Sequence, residues 1–173
     1  KLSRDEVRAR TDVAHVFYSG PVDAWFDFAK GRLGYRTLDF ERHEAEGDYQ
    51  GGAVVNYGDQ DVPFTRISEH KHFVPWESHE RTVYFKEFSR ACDENDIPYY
   101  PIRLVEEKAM LNEYVDLAKA EPKMTFVGRL GTYRYLDMDV TIREALEVAD
   151  QYRDLMSKGQ TEQMPAFALD PLV

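Results

Sequence analysis

The sequence predicts an α+β fold, an antiparallel sheet inserted into an α/β layer that both ends of the chain supply. Three observations carry this. The chain opens on a strand, a glycine turn and a helix. Its middle is a run of strand-like segments with no helix between them. It closes on a helix, a short strand, a second glycine turn and a long helix. Strands that follow one another without helices pair antiparallel, whereas alternating strand and helix build a parallel layer.

Val13 to Phe17 reads as a short buried strand, broken by Ser19-Gly20-Pro21. Proline suits a first helical turn, and Val22, Trp25, Phe26 and Ala29 follow at helical spacing until Gly31 and Gly34. Leu38 and Phe40 alternate with Asp39 and Glu41, the period of a half-exposed strand. Residues 53–57, 64–67 and 82–88 are further strands, separated by Gly, Asp and Pro. After Pro101, Leu111, Tyr114, Val115 and Ala118 mark one face of a helix that Pro122 stops. Residues 124–127 form a strand ending at Gly128. Thr141 with Glu144 has the spacing of a capping box. Ile142, Ala145, Leu146, Ala149 and Tyr152 then run as a helix to Gly159. The expected boundaries are 1–34 and 98–159 for the two pieces of the α/β layer, 35–97 for the sheet domain, and 160–173 for a loosely ordered tail.

The 173 residues carry 32 acidic and 22 basic side chains, a formal net charge of -10. Nucleic acid and anionic membranes both want a basic surface, so neither is an expected partner. A small anionic substrate remains compatible, because a local arginine cluster can sit in an acidic whole. The single cysteine, Cys92, allows no internal disulfide and points to the cytosol. No apolar run is long enough for membrane insertion. The chain starts at Lys1 without an initiator Met, which reads as an excised or truncated piece, or as a chain from which processing removed the Met.

The candidate site residues are arginines, tyrosines and glycines. Arg66 lies at a strand end beside Pro63, and Arg36 follows Gly34; by position alone either could be a surface salt-bridge residue. Arg129 stands out because glycines at 128 and 131 flank it, so backbone and guanidinium could approach a phosphate together. Tyr99 and Tyr100 lie between Pro98 and Pro101 in a rigid extended segment, either as core or as a wall against a sugar diphosphate. Tyr133 and Tyr135 cannot share a face if that segment is extended. His70 and His72 would share one face of a strand, but with no evident third ligand no metal site is expected. Cys92 sits among Asp93, Glu94 and Asp96, which disfavours a thiolate nucleophile. With no protein-based catalytic machine in view, the hard chemistry would belong to a cofactor. No G-x-G-x-x-G loop is present in this chain.

Six blocks occur in a familiar order. They are Gly20-Pro21-Val22-Asp23, Tyr35 to Leu38, Gln50 to Tyr57, Thr65-Arg66-Ile67 with Glu69-His70-Lys71, Pro98-Tyr99-Tyr100-Pro101, and Gly128-Arg129-Leu130 through Tyr135 to Met138. Together they resemble the UDP-galactopyranose mutases over nearly the whole chain up to the last helix. That resemblance implies an isomerase that interconverts UDP-galactopyranose and UDP-galactofuranose for cell wall polysaccharide biosynthesis. It implies FAD, active when reduced, whose N5 forms an adduct with the sugar. The α/β layer would then be the C-terminal portion of a Rossmann-like FAD-binding domain, and the sheet its inserted substrate domain.

By the same resemblance, Arg66 and Arg36 are the catalytic arginines, Arg66 on the substrate diphosphate and Arg36 beside sugar and flavin. Asn56, Tyr100, Tyr135 and Asp137 are substrate contacts. Gly20, Pro21, Gly128, Arg129, Asp137 and Met138 are cofactor contacts, with Arg129 on the FAD pyrophosphate. A homodimer is allowed. The first strand and glycine loop of such enzymes are missing, so the chain resembles their C-terminal part, and FAD binding is expected only from the full-length protein. A non-catalytic sugar-nucleotide-binding domain is the alternative. An amine-oxidase-like flavoprotein fits less well, because the Asn56 to Arg66 block and the double tyrosine have no place in it.

Overall fold

A computed structural model describes residues 3–172. They form two compact units: one joins the chain up to Tyr35 with the chain from Pro98 onward, and the other is Arg36–Ile97.

The first unit is built on two parallel strands, β1 (Val16–Tyr18) and β7 (Met124–Phe126), aligned Val16 to Met124 and Tyr18 to Phe126. Helix α1 (Arg4–Arg8) precedes β1, and Ser3 and Glu6 close its N-terminus as a reciprocal capping box. Arg4 and Arg8 reach the buried Glu121 at 3.2 and 2.6 Å, which ties α1 to the end of α3 (Lys108–Ala120). Leu111, Tyr114, Val115 and Ala118 bury one face of α3, as their spacing predicts. The Tyr114 hydroxyl donates to the Gly31 carbonyl (2.6 Å) and accepts from the Lys30 N–H (2.9 Å), so this fully buried ring keeps its polar end satisfied. Phe126 of β7 stacks on Phe26 and Phe167 with centroids 6.0 and 5.6 Å apart.

Three expectations fail in this unit. The helix after Pro21 is one turn, α2 (Val22–Trp25), although the apolar spacing continues to Ala29. The reason is Asp23, a buried carboxylate that accepts from the N–H of Ala24 and Leu33 and from the Tyr35 hydroxyl. Reaching Leu33 requires the chain to turn back, and Asp27 and Phe28 take positive φ (52° and 57°) to do so. Burial raises the Asp23 carboxyl above its ordinary value against these hydrogen bonds. The last helix, α5 (Met138–Ser157), starts earlier than the capping-box reading requires, with Asp137 at its N-cap. Thr141 lies inside it, its hydroxyl donating to the Asp137 carbonyl, and Glu144 turns instead to Arg134 at 3.0 Å. The tail is ordered over residues 160–172, and Val173 lies outside the described residues. Met164, Phe167 and Pro171 are buried, and the Ala166 carbonyl accepts from the Phe126 N–H (2.8 Å) along the edge of β7.

The second unit is an antiparallel sheet in the order β3-β4-β5-β2, from β3 (Val54–Asn56), β4 (Arg66–Glu69), β5 (Arg81–Ala91) and β2 (Tyr35–Glu46). Strand alternation splits it into two faces. Ile67, Glu69, Thr82 and Tyr84 are buried on one face, where Tyr84 stacks between His43 and Tyr49 (5.0 and 3.8 Å). The register sets Asn56 opposite Arg66, Arg66 opposite Glu87, and Glu87 opposite Phe40, so these four share the other, more open face. No described helix is long and apolar enough to cross a membrane.

Candidate functional site

Each unit carries one cluster of the expected residues. On the open face of the sheet, Arg66 Nε donates to Asn56 Oδ1 at 2.9 Å, and Arg66 Nη1 lies 3.7 Å from Glu87 Oε2. The guanidinium is half exposed, whereas Glu87 is nearly buried beneath it. Nη2 makes no hydrogen bond among the described residues. The arrangement is an arginine held on two sides with a free edge, the geometry that grips a phosphate.

Arg36 lies on the same face. It donates from Nε to the Ser89 hydroxyl (3.0 Å) and from Nη2 to the Ser89 carbonyl (2.8 Å). Two strand spacings and four residues of rise separate it from Arg66, roughly 16 Å between Cα atoms. Glu87 and Ser89 were not singled out from the sequence. Their role depends on the strand register, which joins positions about twenty or more residues apart.

The second cluster lies at the carboxyl ends of β1 and β7, the end at which parallel α/β layers bind cofactors. The turns that leave the two strands abut. The Val127 N–H donates to the Tyr18 carbonyl (2.9 Å), and a side chain at Gly131 would meet that carbonyl at 2.7 Å. Gly20, Pro21 and Gly128 belong to these turns, and Gly128 adopts φ +72°, which glycine takes readily. Arg129 sits in the one-turn helix α4 (Gly128–Gly131). Its Nε donates to the Leu136 carbonyl at 3.2 Å, and its Nη2 donates to the same oxygen. Its Cζ lies 4.7 Å from the Tyr100 ring centroid and 5.0 Å from that of Tyr135, and the two rings are 24° from parallel. Tyr100 belongs to the short strand β6 (Tyr100–Pro101). Tyr133 and Tyr135 do point apart: Tyr133 is buried, with its hydroxyl on the Gly34 carbonyl and Glu107, while Tyr135 is exposed. Asp137 and Met138 follow Tyr135 directly, as N-cap and first residue of α5.

The histidines are placed differently from expectation. His70 and His72 lie in a 3-10 turn (His70–Phe73), not on a strand, and His72 does have acidic neighbours. Its Nε2 is 3.4 Å from Asp48 and 3.6 Å from Glu69, and the three ligand atoms lie within 4.8 Å of one another. The trio is better explained as a turn clamp. Glu69 is fully buried and accepts from the N–H of Tyr49, Gln50 and Gly51, while the Lys71 ammonium sits 2.5 Å from Asp48. Burial pushes the Glu69 carboxyl up, but the N–H groups of residues 49–51 and the Thr82 hydroxyl outweigh it and hold it down at about 2.

Comparison with known proteins completes the picture. A family model described as UDP-galactopyranose mutase matches residues 2–135. The chain belongs to the UDP-galactopyranose mutase family. It is 63% identical over 160 residues to a Klebsiella pneumoniae protein named "Probable UDP-galactopyranose mutase", covering 92% of this chain and 41% of that one. It is 54% identical over 149 residues to the dTDP-fucopyranose mutase of Escherichia coli, covering 86% and 40%. A UDP-galactopyranose mutase of Mycoplasma pneumoniae is 36% identical over 143 residues, 79% of this chain and 35% of the relative. The crystal structure of a reduced UDP-galactopyranose mutase shares the fold at TM-score 0.59 and 12% identity, over 92% of this chain and 46% of that one. The chain thus spans about two fifths of the length of the curated family members it matches.

Proposed function

We propose that this chain serves as part of a flavin-dependent mutase that interconverts the pyranose and furanose forms of UDP-galactose. The observation that carries this is the Asn56–Arg66–Glu87 row, an arginine held by two side chains on an open sheet face with a free guanidinium edge. In a protein of net charge -10, such a local cation is what a doubly negative diphosphate requires. Arg66 would bind the UDP diphosphate and stabilise the charge it gains as UDP departs. Asn56 would hold the guanidinium in register, and Arg36, fixed by Ser89, would meet a more distant part of the ligand.

The residues at the carboxyl ends of β1 and β7 fit FAD. Arg129 keeps Nη1 free of hydrogen bonds among the described residues, and the Gly20 and Gly128 turns bring backbone close without side-chain bulk. We infer that Arg129 contacts the pyrophosphate, with Gly20, Pro21, Gly128, Asp137 and Met138 around it. Bound there and reduced, the flavin would supply the nucleophile for the anomeric carbon, in keeping with the lack of a protein nucleophile in the sequence. Tyr100, Tyr135 and Asp137 would face the nucleotide sugar. A single cysteine, Cys92, leaves no disulfide possible within the chain, in keeping with a cytoplasmic setting.

The relative at 54% identity is named for dTDP-fucopyranose, so the same chemistry on a thymidine nucleotide is the second reading. The test is chromatography of UDP-galactofuranose and of dTDP-fucopyranose after incubation with the intact protein and dithionite-reduced FAD. Conversion of UDP-galactofuranose to the pyranose supports the first reading. Conversion of the dTDP sugar alone supports the second, and conversion of neither refutes both.

A further inference from the structure

The expected roles treat Tyr100 and Tyr135 as substrate contacts and Arg129 as a cofactor contact. The geometry points to a further role: the rings of Tyr100 and Tyr135 are positioning elements that hold the Arg129 guanidinium by stacking, with the Leu136 carbonyl fixing its in-plane rotation. This rests on the reading of Arg129 as a cofactor contact.

Three observations support it. Both ring centroids lie within 5.0 Å of Arg129 Cζ, inside the range at which a cation is attracted to a ring face. The rings themselves are stacked, 24° from parallel with centroids 6.1 Å apart, and each also lies within cation–π range of the same guanidinium. Arg129 Nε and Nη2 converge on one carbonyl, which orients the group and leaves Nη1 as the available edge. A long arginine side chain loses considerable rotamer freedom when it is ordered. Holding it before the ligand arrives removes that loss from binding. Tyr135 is itself mostly exposed, so its ring has little packing reason to stand here other than the contact it makes. The consequence is coupling: a change of ring at Tyr100 or Tyr135 disturbs the cofactor arginine even though each hydroxyl is expected to serve the substrate.

The test separates ring from hydroxyl in the intact protein carrying this chain. Flavin affinity is measured by titrating the apoprotein with FAD, for Tyr100→Leu, Tyr100→Phe, Tyr135→Leu, Tyr135→Phe and Arg129→Ala. The inference expects each Leu variant to weaken flavin binding about three- to tenfold, and each Phe variant to stay within about twofold. Arg129→Ala should weaken it more, and Tyr135→Leu should add little in the Arg129→Ala background, because the ring acts through the arginine. Phe variants as weak as Leu variants, or full additivity with Arg129→Ala, would overturn the clamp. An independent readout is the Arg129 Hε resonance without cofactor. Ring currents should move it upfield in wild type and in Tyr135→Phe, and the shift should shrink in Tyr135→Leu. If the resonance behaves this way but Arg129→Ala leaves flavin affinity unchanged, the cofactor role of Arg129 is what fails. An Hε resonance unmoved by Tyr135→Leu removes the clamp itself.

Discussion

Replacing Arg66 by alanine should weaken UDP binding to the intact protein by about ten- to a hundredfold. The figure follows from the contacts. The guanidinium is fixed by Asn56 at 2.9 Å and lies 3.7 Å from the nearly buried Glu87, so its free edge is aimed before any ligand arrives. A hydrogen bond to a charged partner contributes roughly 1.5–3 kcal/mol, and each 1.4 kcal/mol is a factor of ten. Removing the side chain also leaves the Glu87 carboxylate without its cation on the ligand face, which adds repulsion toward a diphosphate. Arg66→Lys should restore only part of the affinity, because an ammonium cannot reproduce the planar fork and does not satisfy Asn56 in the same geometry. Turnover with reduced flavin should fall further than affinity, since the departing phosphate gains charge in the transition state. The assay is UDP competition against a fluorescent nucleotide, paired with UDP-galactofuranose turnover. Wild-type affinity and wild-type turnover in Arg66→Ala would show that the Asn56–Arg66–Glu87 row is an ordinary surface ion pair and refute the reasoning.

Other outcomes follow from the same contacts. Glu69→Ala orphans the N–H groups of Tyr49, Gln50 and Gly51 and should destabilise the protein by about 2–3 kcal/mol in urea unfolding; less than about 0.5 kcal/mol would mean water replaces the carboxylate at no loss. Because that carboxyl is held at about 2, its contribution is present above its unfolded value near 4.5 and is lost as pH falls toward 2, so Glu69→Ala should flatten the acid limb of stability against pH. Burial lowers His15 below its ordinary value near 6.5, so the folded state binds fewer protons than the unfolded state just below that pH. Stability should therefore fall as pH drops through about 6.5, and His15→Gln should remove that part of the slope; equal slopes in denaturant titrations would contradict it. Asp23→Ala should cost about 3 kcal/mol, because it strands the Leu33 N–H and the Tyr35 hydroxyl in the core, and thermal unfolding near the wild-type midpoint would argue against that role.

Much of the framework is legible in the sequence because it rests on local periodicity. The alternation of Leu38 and Phe40 marks β2, and Leu111, Tyr114, Val115 and Ala118 mark the buried face of α3. What is not legible depends on partners distant along the chain. The helix after Pro21 reads as longer than it is, because nothing local reveals that Asp23 will accept from Leu33 and Tyr35 and turn the chain at Asp27 and Phe28. The Thr141–Glu144 pattern misleads because Glu144 finds Arg134 instead. The tail reads as loosely ordered, yet Met164 and Phe167 are buried beside β7. In the candidate site, the arginines stand out by their neighbours, but their partners do not. Glu87 meets Arg66 through the register of β4 and β5, and Ser89 meets Arg36 through that of β2 and β5. The stacking of Arg129 on Tyr100 and Tyr135 joins residues twenty-nine and six positions away, a relation that only the fold supplies.

The central claim is a division between two arginines, Arg66 for the nucleotide sugar and Arg129 for the flavin. The most direct test is a crystal structure of the intact protein with reduced FAD and UDP-galactose bound. The account predicts a UDP diphosphate oxygen within about 3 Å of the Arg66 guanidinium, and an FAD pyrophosphate oxygen at the same distance from Arg129. A substrate diphosphate on Arg129, with Arg66 paired only to Glu87 and facing solvent, would contradict it.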